Sequence, residues 1–242
     1  HSLNLRVERR FSRGLTFLAN YTISKNVDSG NVGSSTFSGQ GNTRAMDSYN
    51  LWRERGLAAT DIPQKFALSA LYELPFDRNR FWGGWQVNGI LSLRSGFPTD
   101  LQVAQRPPTF TLQNRPDVVL GEPKLAPNPG FDQYFNPRAY TIPGTVPDSQ
   151  GRPIRMYGNA GRNTLRGPGA KNLDLSVFKS FKATERSSVQ FRAEAFNLTN
   201  TPSFEIPTAR SAALTVGNPA FGKLSGSQSV GRQVQFGLKF LF

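Results

Sequence analysis

Near the carboxyl end every second residue is large and apolar: Val234, Phe236, Leu238, Phe240 and Phe242 alternate with Gln235, Gly237, Lys239 and Leu241. Strict alternation specifies a β-strand with one apolar and one wet face. The same period predicts strands over Leu3–Phe11, Leu15–Ser24, Gln64–Leu74, Trp85–Arg94, Asn172–Phe181 and Val189–Asn197. Leu15, Phe17, Ala19, Tyr21 and Ile23 thus share one face, with Thr16, Asn20 and Thr22 on the other. Leu18, Ile90 and Phe196 interrupt the alternation without abolishing it. A strand of about ten residues, tilted by ~45°, crosses a bilayer core. A strand of a soluble sandwich alternates in the same way, so the strands alone leave both folds open.

The connections favour one of them. They cover 12–14, 25–63, 75–84, 95–171, 182–188 and 198–230, so short and long alternate along the chain. Outer-membrane barrels have short periplasmic turns and long extracellular loops. With the last strand running inward, all three short connections fall on the periplasmic side. The expected fold is all-β: a transmembrane antiparallel up-and-down β-barrel, of which about seven strands and their long extracellular loops are present. An odd number of strands leaves a sheet with unpaired edges that lipid does not satisfy. The chain begins with His1 rather than Met and shows no signal peptide. We therefore expect residues 1–242 to be the C-terminal segment of a longer barrel. Arg9 and Lys179 have lipid-face parity two residues before Phe11 and Phe181, where a cation can snorkel to headgroups. Phe76, Trp82 and Trp85 are expected to cluster nearby.

Composition narrows the chemistry. The 242 residues include 19 Phe, no Cys and a single His. Disulfides, thiolate nucleophiles, the usual zinc sites and histidine bases are thereby removed, and no cofactor is expected. A mean hydropathy of −0.43 is compatible with a barrel, because its strands show only half of their residues to lipid. The formal net charge is +13, but no Lys/Arg-rich run of five or more occurs. No nucleic-acid partner is expected from cations so scattered. Asp47 or Asp61 with Glu54 has no spacing that recommends a glycosidase pair.

Several stretches resemble a known family. They are 50–56 (Asn-Leu-Trp-Arg-Glu-Arg-Gly), Phe66–Phe76, Gly84–Pro98 and Tyr134–Pro137. Gly158–Gly169, Asn172–Lys179, Phe191–Leu198 and the terminal Phe complete the series. Their order and spacing resemble the Oar-like branch of TonB-dependent outer-membrane receptors over nearly the whole chain. Asp61–Lys65 departs from the family, whose members carry a more basic, histidine-containing segment there, and this leaves the approach to the third strand undetermined. The resemblance implies an N-terminal sandwich and a plug, both outside this sequence, before a barrel of about 22 strands. It implies uptake of a scarce, bulky ligand driven by the proton gradient through TonB, with no covalent chemistry. The implied partners are outer-membrane lipid, the remaining strands and plug of the same protein, and TonB acting through that plug. The barrel-assembly machinery would engage Val234, Phe236, Leu238, Phe240 and Phe242. Two other classes stay open: a surface adhesion or matrix-interaction protein anchored by the barrel, and a soluble carbohydrate-binding β-sandwich.

The connection 95–171 is the expected ligand surface. Its candidates are Arg106, Arg115, Tyr134, Arg138, Tyr140, Arg155, Tyr157, Arg162 and Arg166, with Phe110 among them. Cations interleaved with aromatics suit carboxylate-bearing, aromatic or peptide ligands. Each also fits a loop packed on its own aromatics and prolines. Gly158–Gly169 lacks the Gly-Lys-Ser/Thr of a phosphate loop, and its four glycines suit positive-φ turns and close backbone approach. Asp174, Arg192, Glu194 and Lys239 have lumen parity and are expected to form a charge ladder that touches the plug or steadies the wall.

Overall fold

All the predicted strands form, and each pairs with its neighbour in sequence. In the computed structural model, residues 1–29, 45–76, 81–105, 114–205, 207, 211–224, 226–227 and 229–242 are described. Seven antiparallel strands make one sheet in chain order: β1 Ser2–Ser12, β2 Leu15–Ser24, β3 Gln64–Glu73, β4 Gln86–Arg94, β5 Ala170–Lys182, β6 Ser188–Phe196 and β7 Gln233–Leu241. The bounds differ from those expected by two residues at most. The largest change is in β5, which starts earlier because Ala170 and Lys171 pair with Arg94 and Leu93. β6 stops at Phe196 because Asn197 turns the backbone to φ 48°. Among the described residues the only helices are short 3-10 turns at Leu51–Glu54, Pro137–Ala139 and Ala212–Leu214.

The register keeps the two faces separate across the sheet. Leu5, Tyr21, Phe66, Leu93 and Lys171 are successive cross-strand partners, and so are Val7, Ala19, Leu68, Leu91 and Leu173. Toward β7 the same face continues through Val177, Ala193 and Phe236. A shift of one residue would turn every one of these side chains to the polar face. Arg13 and Gly14, at φ 52° and 80°, form the two-residue turn between β1 and β2. Positive φ at both positions gives the turn a twist that matches the strands.

Burial is inverted relative to a soluble protein. None of the buried apolar side chains lies on β1–β7. Val7, Phe236 and Leu238 are more than half exposed, at 57, 73 and 77%. Among the described residues no second large sheet covers this face, and the soluble sandwich fails on that point. The water-excluded core is built from Leu101, Val103, Phe135, Leu165, Leu214 and Phe221, all in the long connections.

At the short-turn end, Phe76 and Trp82 gather with Phe81, Leu74 and Trp85 around an apolar hollow of about 340 Å3. Arg9 reaches the carbonyl of Ser12 at 3.4 Å, toward that end. Lys179 differs from the snorkelling expectation. It is only 4% exposed, and its Nζ donates to the Phe81 carbonyl at 2.7 Å, over the rings of Trp85 and Phe181. Protein rather than headgroup encloses its ammonium.

Candidate functional site

The three long connections fold together over the end of the sheet opposite the short turns. Gln102–Val103 pairs in parallel with Thr215–Val216, and the Gly222 carbonyl accepts from the Tyr134 and Phe135 amides. These bonds tie the second long connection to the third. Leu101, Phe135, Tyr140, Leu165, Leu214 and Phe221 fill the space between them. Burial of this apolar area, at about 25 cal/mol per Å2, is what holds segments without long ladders of their own.

Charged groups join the first connection to the second. Arg115, 1% exposed, grips Glu54 through Nη1 at 2.8 Å and Nη2 at 3.0 Å. Its Nε donates to the Ala160 carbonyl and Nη2 also to that of Arg53. Arg162 pairs with Asp28 and donates from Nε to the Glu54 carbonyl at 2.7 Å. Arg166 pairs with Asp61 and donates to the Gly96 carbonyl. Burial holds the Arg162 guanidinium below its ordinary pKa. Only the Arg115–Glu54 pair is buried on both sides, and removing one partner of such a pair costs about 3–5 kcal/mol. Asp61 also accepts from the Asn26 amide at 2.6 Å. The approach to β3, left undetermined by the sequence, is therefore set by Asp61 itself.

Asp100 lies beside this network. Its Oδ1 accepts from the Leu101 amide at 3.1 Å and the Asn163 amide at 3.4 Å. Burial pushes its carboxyl up to about 6, opposed by the Arg115 charge and these amides and reinforced by Glu54. Burial also pushes the Tyr140 phenol up to about 12, so the ring meets its neighbours uncharged. Gly158 serves close packing: a Cβ there would lie 2.0 Å from the Arg115 carbonyl oxygen. None of the four glycines in Gly158–Gly169 has positive φ, and Asn163 takes that conformation instead, at 55°.

The candidate ligand residues differ in their surroundings. Arg115, Arg162 and Arg166 brace the two connections, and Tyr140 belongs to the core. Arg155 donates to the Pro143 carbonyl, and Tyr157 lies beneath the Arg53 guanidinium. Tyr134 is half-buried with its ring edge-on to Phe135, while Arg138 is exposed on the turn Pro137–Ala139. Arg106 and Phe110 lie outside the described residues. A hollow of about 540 Å3 opens between the second and third connections, and all of its lining residues are uncharged, Gln133, Tyr140, Thr141, Asn218 and Phe221 among them. The sequence missed the acids that partner the arginines, although Glu54 falls within the stretch 50–56 that carried the resemblance. Of the four lumen residues, Asp174 accepts from Asn172 and the Asn197 amide, Arg192 donates to Gln190, and Glu194 accepts from Gln235. Among the described residues no ion pair joins these four to one another.

A family model described as outer membrane beta barrel domain matches residues 1–235. No curated protein and no solved structure shows a significant match to the chain. With that match over an antiparallel sheet whose apolar face is covered by no second large sheet among the described residues, the chain belongs to the outer-membrane β-barrel domain family and lies in the outer membrane.

Proposed function

We propose that this chain is the wall and ligand-facing cap of an Oar-like TonB-dependent receptor, which takes up a bulky, scarce ligand without covalent chemistry. The observation that carries this reading is the cap: the second and third long connections share one core with a hollow of about 540 Å3 between them, and ion pairs bind the first connection to the second. Simple anchoring does not need such a body. On this reading Arg138 and Tyr134 are the accessible ligand contacts, and the buried arginines hold the cap in shape. The polar face of β5–β7 would stand against the plug, and further strands of the same protein would complete the wall. The terminal strand would be the element that the barrel-assembly machinery engages. A second reading, surface adhesion, draws on Tyr49 and Trp52, which are 93 and 77% exposed in the cap.

Cross-linking in intact cells separates the two. The native protein, captured with an antibody against the cap, is expected to carry TonB in a cross-linked product. Absence of that product, with loss of attachment to matrix when the gene is deleted, would replace transport by adhesion.

A further inference from the structure

The lipid-facing side of the wall has a hollow at its outer end. It has a volume of about 270 Å3 and lies across β2 to β5. Tyr21, Phe66 and Leu93 form its apolar floor, Gln64 and Ser95 its outer border, and Lys171 its β5 flank. Register puts Tyr21, Phe66, Leu93 and Lys171 in one row on the apolar face. The Tyr21 and Phe66 rings meet edge-on at 6.5 Å, which makes the floor stiff and aromatic.

Lys171 and Lys179 bracket Leu173, Leu175 and Val177 on the same face of β5. Eight residues of strand span ~27 Å, or ~19 Å of depth at a ~45° tilt, so one lysine stands near each interface. Their surroundings are opposite. Lys179 is enclosed by protein at the inner end. Lys171 is exposed and makes no hydrogen bond or ion pair among the described residues. An ammonium at the edge of hydrocarbon needs an anion or water. The floor beside it suits an alkyl chain.

We propose that this hollow is a specific lipid site. It takes an acyl chain of a phosphorylated, multiply acylated glycolipid of the outer leaflet, with a phosphate on Lys171 and sugar hydroxyls on Gln64 and Ser95. The long connections face outward in this family of folds, so the hollow opens to the outer leaflet. The site depends on the membrane location and the orientation of the wall, and stands whatever the receptor imports.

The test is native mass spectrometry of the full protein extracted from outer membranes in mild detergent. Three probes are added: bisphosphorylated lipid A, its dephosphorylated form, and phosphatidylglycerol. Wild type should retain bisphosphorylated lipid A in preference to the other two. Lys171→Gln should weaken that retention about fivefold, and Lys171→Arg should restore it. Leu93→Phe should weaken it by filling the floor, while Lys182→Gln at the inner end should have no effect. Equal retention by Lys171→Gln and wild type would overturn the site. Equal retention of dephosphorylated lipid A would remove the phosphate contact, and equal retention of phosphatidylglycerol would overturn the choice of glycolipid.

Discussion

Arg115 shows how a basic chain can hide its charge. The guanidinium has carbonyl and carboxylate acceptors on Nε and both Nη atoms, so burial leaves each of its nitrogens with a partner. Asp100 has a weaker settlement, with two backbone amides on one oxygen, a cation and a competing carboxylate nearby, and a pKa of about 6. Its folded-state pKa lies above the unfolded value near 3.8, so protonation favours the folded cap. The stabilisation is complete below about 3.8 and lost as pH rises through about 6. A shift of this size corresponds to about 3 kcal/mol at most. Amide exchange at Leu101 and Asn163, corrected for intrinsic rates, should slow as pH falls from 7.5 to 5, and Asp100→Asn should flatten that dependence. Coincident profiles for the two proteins would remove Asp100 from the role.

At the scale of the strand, one physical rule governs the pattern: lipid on one side and a polar space on the other. β5 tests it with adjacent residues. Leu175, near the middle of the apolar face, is paired with Gly89 and Ala195, whereas Ser176 lies on the polar face between Asn88 and Glu194. Leu175→Arg should cost about 2–4 kcal/mol in a bilayer, and Ser176→Arg much less. Reversible urea unfolding in lipid vesicles measures both, and equal costs would mean that the apolar face does not meet lipid. The strands were legible because this rule imposes a period of two over nine or more residues at a time. The cap was not, because Leu101, Phe135, Leu165 and Leu214 come from separate short stretches without a shared period. Its ion pairs join residues 61, 134 and 105 positions apart, beyond the reach of any local pattern. The candidate site was legible as a region. Which arginines face solvent was fixed by Glu54, Asp28 and Asp61, acids that no spacing rule linked to them.

At the scale of the molecule, the direction of the strands sets which side of the membrane each end of the sheet meets. β1 and β7 run the same way, because five strands lie between them in an all-antiparallel order. In the completed wall proposed above, all-antiparallel closure therefore requires an odd number of further strands between β7 and β1. The two ends of the sheet are chemically unlike. One carries the cap with its own core, and the other carries tight turns such as Arg13–Gly14 and the Thr184–Ser187 hydrogen bonds. A folded body of the cap's size has room outside the cell, while short turns suit the periplasmic side. Because residues 1–242 contain no cysteine, a single thiol placed among them is the only one in this segment. Leu120, 93% exposed in the cap, and Glu185, exposed in the turn between β5 and β6, mark the two sides. With a membrane-impermeant maleimide on intact cells, Leu120→Cys should label and Glu185→Cys should stay unlabelled until the outer membrane is opened. The reverse result would turn the wall over, place the cap and its hollow in the periplasm, and end both the receptor reading and the outer-leaflet lipid site.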